Sequence, residues 1–181
     1  MYQQEFMSAT DRTKRLGLKC PDVQLSDERF LTKERMERFP QDLQKVVGEI
    51  SIEEVVAQCL YIHHKLQEPV SNILGTPTYF TIGYVETAKD TLFYHDENSF
   101  KEMLHTGLPS RSLNIHAWLT LPSMEVFDFS LPTSYAIINE IEEGIGGLIA
   151  AHADALKHGM KYHPMLVGKD FLRRIGALVE F

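Results

Sequence analysis

Residues 115–130, IHAWLTLPSMEVFDFS, restrict the fold more than any other stretch, because apolar and polar side chains alternate on both sides of Pro122. Alternation with a period of two marks strands with two unlike faces. An antiparallel hairpin turning at Pro122, Ser123 and Met124 sets Trp118 opposite Asp128 and His116 opposite Ser130. One face then carries Ile115, Ala117, Leu119, Phe127 and Phe129; the other carries His116, Trp118, Thr120, Val126, Asp128 and Ser130. In that register His116 and Asp128 are diagonal neighbours, roughly 7–8 Å apart at the backbone and within side-chain reach. A carboxylate so placed holds an imidazole in one tautomer and stabilises its protonated form. The structural alternative is a solvated sheet face, where polar residues need no function. Trp118 on the polar side points to a pocket or a covering helix, since a tryptophan bared to solvent is unusual. The turn has no Asn-Gly or Gly signal, so patterning alone sets the register.

Upstream, Ser51 and Glu54 form a capping-box pattern ahead of IEEVVAQCLYIHHKLQ, in which Ile52, Val55, Val56, Cys59, Ile62, His63 and Leu66 recur at helical spacing. A helix running on from about Ile52 is predicted, kinked or ended by Pro69, with Gly75 at the C-terminal break. Residues 78–86, TYFTIGYVE, suit a half-buried strand with a bulge at Gly83, and residues 91–95 a second short strand. Ser99 and Glu102 repeat the capping box before a short helix. Residues 26–39 suit a helix, with Pro40 stopping it or starting the next element, residues 134–144 an amphipathic helix ended by Gly144, and residues 170–180 a closing helix or turn. Residues 148–159 fit strand and helix alike. The order of elements gives an α+β fold, an antiparallel sheet packed against helices.

A chain of 181 residues with 44% hydrophobic residues can bury one sizeable core, so a single domain over 1–181 is expected, with residues 1–25 a mobile N-terminal arm. Its 18 basic and 25 acidic residues, a formal net charge of -7, disfavour a nucleic-acid backbone as partner. No window approaches the length of a membrane span and no secretory apolar region opens the chain. The cytoplasm is the simplest address, with signal-less secretion the alternative. Cys20 and Cys59 are too few for a secreted disulfide framework and are taken as free thiols.

Cys59 on a helix, the LGTP-TYFTIGYV junction into a strand, and then HAW and Asp128 on successive strands resemble the transglutaminase-like branch of the papain-like cysteine hydrolases over residues 52–130. The resemblance implies a papain-like core, Cys59 as thiolate nucleophile, His116 as general base and Asp128 as the group that orients it. It implies an acyl-enzyme route on an amide or thioester, with a peptide, protein or small amide as substrate and no cofactor or metal. Trp118 would line the substrate cleft. The capping box at Ser51 places Cys59 about two turns inside its helix, whereas the family's nucleophile begins one. Gln58 adjoins the thiol but points elsewhere, which leaves the oxyanion donor unassigned.

Competing assignments attach to the same residues. Cys59 lies on an apolar stripe and suits plain packing, which fits a protein-binding module that keeps the fold without the chemistry. Cys20 sits in a basic, loop-like stretch without a matched histidine and has no catalytic role. His152, Asp154, His158 and His163 carry a third alternative, a metal-dependent hydrolase, although their spacing matches no established metal motif. Gly144, Gly146 and Gly147 lack the lysine and the spacing of a phosphate loop and mark a helix end. Residues 161–171 form a surface turn or the wall of a pocket.

Overall fold

A computed structural model describes residues 1–108 and 113–178. In chain order its elements begin with α1 (Tyr2–Arg15), α2 (Lys33–Val47), α3 (Ile52–Val55), α4 (Cys59–Leu74), β1 (Tyr79–Glu86), β2 (Thr91–Leu92) and α5 (Glu97–Thr106). There follow β3 (His116–Thr120), β4 (Glu125–Asp128), α6 (Leu131–Ile138), β5 (Ile149–His152), β6 (Lys161–Val167) and α7 (Asp170–Arg174). Helices mixed with antiparallel strand pairs make this an α+β protein. Backbone contacts cluster into two compact units, one of Met1–Asp22, Thr81–His116 and Leu156–Phe181, the other of Val23–Phe80 and Ala117–Ala155.

In the first unit α1 packs on β6. Tyr2, Phe6, Ala9, Thr10 and Thr13 are buried at helical spacing, so one face of a polar helix is covered. Thr10 and Thr13 return their hydroxyls to the carbonyls of Phe6 and Ala9, which satisfies them inside that face. Thr13 Oγ1 also accepts from the Val167 N–H at 2.9 Å, and Arg12 donates to the Met165 carbonyl at 2.9 Å. The stretch expected as a mobile arm therefore opens with a packed helix, whose low apolar content concealed its covered face. Residues 161–167, expected as a turn or pocket wall, are a strand paired antiparallel with β1. The register shifts between Ile82 and Gly83, leaving Met165 as the extra residue and Gly83 opposite Pro164. Proline gives no N–H to a ladder, so a bulge beside it is the low-cost arrangement. The second strand is shorter than expected because Phe93 leaves it at a φ of 62°. Asp96, rather than Ser99, caps α5, accepting from the Ser99 N–H at 2.8 Å.

In the second unit Thr32 caps α2 by accepting from the Arg35 N–H, and the helix runs through Pro40 instead of stopping there. A mid-helix proline costs about 3 kcal/mol, and burial of Phe39 offsets it by about 1.5–3 kcal/mol. The Phe39 ring stacks on Phe127 of β4 with centroids 5.0 Å apart. The capping box at Ser51 forms as predicted, with the Ser51 hydroxyl accepting from the Glu54 N–H and the Glu54 carboxylate from the Ser51 N–H. The long helix does not. Val56 turns extended, Ala57 enters the left-handed region at a φ of 54°, and a new helix starts at Cys59. Pro69 lies within α4 without ending it, and Gly75 closes it in the left-handed conformation at φ 67°. Helix α6 starts three residues earlier than expected and stops at Ile138, well short of Gly144.

Candidate functional site

The break between α3 and α4 puts Cys59 at the first position of a sixteen-residue helix. Its placement about two turns inside a continuous helix, expected from the capping box, is corrected. The reason is tertiary: the Ala57 N–H donates to Ser134 Oγ of α6 at 3.1 Å, which holds the left-handed residue that sequence periodicity cannot register. Cys59 is partly exposed. Cys20, the other thiol, is also partly exposed, and burial, opposed by Lys14, raises its pKa above the ordinary value.

His63, one turn into α4, is fully buried. Its Nε2 lies 2.9 Å from the Phe129 N–H, and a backbone N–H only donates, so Nε2 accepts. The ring proton therefore sits on Nδ1, which donates to the Cys59 carbonyl at 2.7 Å. His63 thus ties the first residue of α4 to the residue that follows β4. Phe129 also packs on it, ring centroids 5.8 Å apart. The sequence placed His63 on the apolar stripe four residues after Cys59, but not in this role.

Asp128 ends β4 with no exposed surface. Its Oδ1 accepts from the N–H groups of Ser130 and Leu131, each at 2.9 Å, and so caps the entry to α6. The same oxygen is 3.6 Å from His63 Nε2. That approach is not an ion pair, because Nε2 carries no proton in the tautomer fixed by Phe129.

The β3–β4 register pairs Leu119 with Phe127 and Thr120 with Val126, the register that the side-chain alternation predicts. The hairpin closes with the Met124 N–H on the Leu121 carbonyl and the Leu121 N–H on that of Glu125. Met124 takes the left-handed conformation, φ 62°, that glycine usually supplies in three-residue loops, which is why no glycine signal marks the turn. The polar face is not solvated. Trp118, Thr120 and Asp128 have no exposed surface, and His116 is 1% exposed. Trp118, expected to line a cleft, thus reaches no solvent in this structure. His116 opens β3 and stacks on Phe93, centroids 4.9 Å apart and planes 19° apart, with Tyr162 at 6.4 Å.

Comparisons with protein-family models, curated proteins and solved structures find no match for the chain.

One buried carboxylate was missed in the sequence. Glu125 accepts from the N–H groups of Phe30 and Leu31 at 2.8 and 3.2 Å and from Ser123 Oγ at 2.5 Å, anchoring the segment ahead of α2. Charge in a strand that otherwise alternates was the available signal. The histidines weighed for metal binding have other surroundings. His163 stands between Glu5 and Glu86, its Nδ1 and Nε2 at 2.7 and 3.2 Å from their carboxylates. Burial, and then the Arg29 guanidinium, hold the His152 imidazole below its ordinary pKa. Among the described residues no three His, Cys, Asp or Glu side chains form a metal-binding group, and no helix is long and apolar enough to cross a membrane. A groove of about 210 Å³ lined by Glu34, Arg35, Arg38, Asp42, Ile73 and Leu74 lies at the end of α4 opposite Cys59.

Proposed function

We propose that the chain is a cysteine-dependent hydrolase or acyl transferase acting on an amide or thioester. Cys59 is the nucleophile, His116 the general base, and Asp128 the carboxylate that orients the base, within a core of transglutaminase-like type. The observation that carries this reading is the position of Cys59 as a partly exposed thiol opening α4. The β3–β4 register and the burial of Asp128 support it further, since a carboxylate kept in place without solvent is held by its hydrogen bonds.

In the proposed reaction the imidazole takes the thiol proton and the sulfur attacks the carbonyl carbon, giving a tetrahedral oxyanion. Collapse breaks the bond to nitrogen or sulfur, and the imidazolium returns the proton to the departing amine or thiol. Water, for hydrolysis, or a second amine, for transfer, then attacks the thioester and frees Cys59. The test is intact-protein mass after incubation with an electrophilic amide probe. A single adduct mapped to Cys59 and lost in Cys59→Ala is expected; an adduct that survives the substitution removes Cys59 as nucleophile.

The burial of His116 and Trp118 favours a second reading, a protein-binding module that keeps the architecture without catalysis. It predicts that an electrophilic amide leaves Cys59 unlabelled and that Cys59→Ala leaves partner binding unchanged.

A further inference from the structure

Between residues 135 and 145 the chain shows five large apolar side chains to solvent: Tyr135, Ile137, Ile138, Ile141 and Ile145, with Ile138 71% exposed. Isoleucine is ordinarily a core residue, and a run this dense marks an interaction surface more often than a solvated loop. The loop is held, not slack. Gly146 donates to Thr133 Oγ1 at 3.0 Å, the Ile141 N–H bonds the Ala136 carbonyl, and the Gly147 N–H bonds that of Gly144. A side chain at Gly147 would come within 2.8 Å of the Gly144 carbonyl, so the close fold needs glycine there. The isoleucines therefore project from a built loop.

Three exposed carboxylates, Glu140, Glu142 and Glu143, are interleaved with them. No Lys or Arg occurs in the sequence between Arg111 and Lys157. Within residues 131–147 the charged side chains are thus all acidic and exposed beside the apolar ones. The helix that leads into the loop is tied to the segment ahead of the proposed nucleophile: Ser134, one helical turn before Ile138, accepts from the N–H of Ala57, two residues before Cys59.

We infer that the loop from Ile138 to Ile145 docks a basic polypeptide whose apolar side chains alternate with Lys or Arg. Charge complementarity selects this occupant, since an acidic chain meets like charge and a neutral apolar one leaves the carboxylates unmatched. That the docked polypeptide is the substrate rests on the Cys59 reading; the docking itself does not.

The test uses the full chain carrying Cys59→Ala, so that nothing is turned over, and a fluorescein-labelled peptide alternating leucine with lysine. Fluorescence anisotropy is expected to show binding that weakens by about tenfold or more in the double variant Ile138→Ser, Ile141→Ser and by a similar factor when glutamate replaces lysine in the peptide. Circular dichroism checks that the double variant is folded, as expected for exposed positions. Failure to bind, equal binding of the lysine and glutamate peptides, or binding indifferent to the isoleucine substitutions each overturns the inference. So does sedimentation showing that the wild-type chain self-associates and the double variant does not, which would make a second copy the occupant. Labelling of Cys59 in the wild-type chain is measured separately, so failure of docking and failure of the proposed chemistry give different results.

Discussion

The carbonyl oxygen of Cys59 accepts a hydrogen bond from Nδ1 of His63 across 2.7 Å. Because the other ring nitrogen takes the Phe129 N–H, one buried imidazole fastens the start of α4 to the chain that leaves β4. The relation orients the backbone of the proposed nucleophile through its carbonyl, which makes His63 a positioning residue.

Replacing that imidazole strands two backbone groups. Each orphaned group costs about 1–3 kcal/mol, so His63→Leu is expected to lower unfolding stability by about 2–5 kcal/mol, read from urea denaturation. His63→Gln, which can keep one of the two bonds, is expected to fall between. Equal stability of His63→Leu and wild type would show that neither bond matters.

Asp128 offers two backbone N–H groups one acceptor oxygen. Asn keeps such an oxygen and Ala does not. Asp128→Ala is expected to cost about 2–4 kcal/mol by leaving both donors buried, and Asp128→Asn clearly less. Under the proposed function both slow acylation of Cys59, whereas a purely capping Asp128 would let Asn acylate at the wild-type rate.

Ala57 holds a left-handed φ of 54° with its side chain exposed. A non-glycine residue pays about 1–2 kcal/mol there, part of which glycine returns to unfolded-chain entropy. Ala57→Gly is therefore expected to raise stability by about 0.5–1 kcal/mol, and Ala57→Val to lower it. A destabilised Gly variant would contradict the strain.

Glu97 links α5 to α1. Hydrogen bonds from Arg15 at 2.7 Å and from Lys101 bring its carboxyl down to a pKa of about 2. A carboxyl whose folded pKa lies below its unfolded value stabilises fully above the unfolded value, and that contribution fades as pH falls through the folded one. Stability should thus decline as pH drops from the ordinary carboxylate range towards about 2. Glu97→Gln should flatten the decline in thermal scans across that window, modestly, since the pair is near the surface.

The features that local chemistry determines were visible in the sequence. The β3–β4 register follows from parity alone, and the Ser51 box and the Gly75 cap each need only a few adjacent residues. What escaped depended on distant partners. The helical spacing of Val55, Val56 and Cys59 carries the apolar stripe past Ala57, and only Ser134 on α6 reveals why the backbone breaks there. Pro40 stays inside α2 because Phe39 and Leu43 are buried beside it. Residues 161–167 suit a surface turn or a pocket wall on local composition, and only their pairing with β1 around the Met165 bulge makes them a strand. His116 and Asp128 were found as a pair of candidates, but their burial was not, since alternation alone does not say whether a polar face is covered.

The most direct measurement is the rate of iodoacetamide alkylation of Cys59 and of Cys20 across pH, resolved by peptide mass in wild type and in His116→Ala. The proposed chemistry predicts that Cys59 reacts faster than Cys20 at neutral pH, where the raised pKa of Cys20 keeps it protonated, and that removing His116 slows Cys59 alone. Labelling of Cys59 that is no faster than that of Cys20, or that is indifferent to His116, would contradict it.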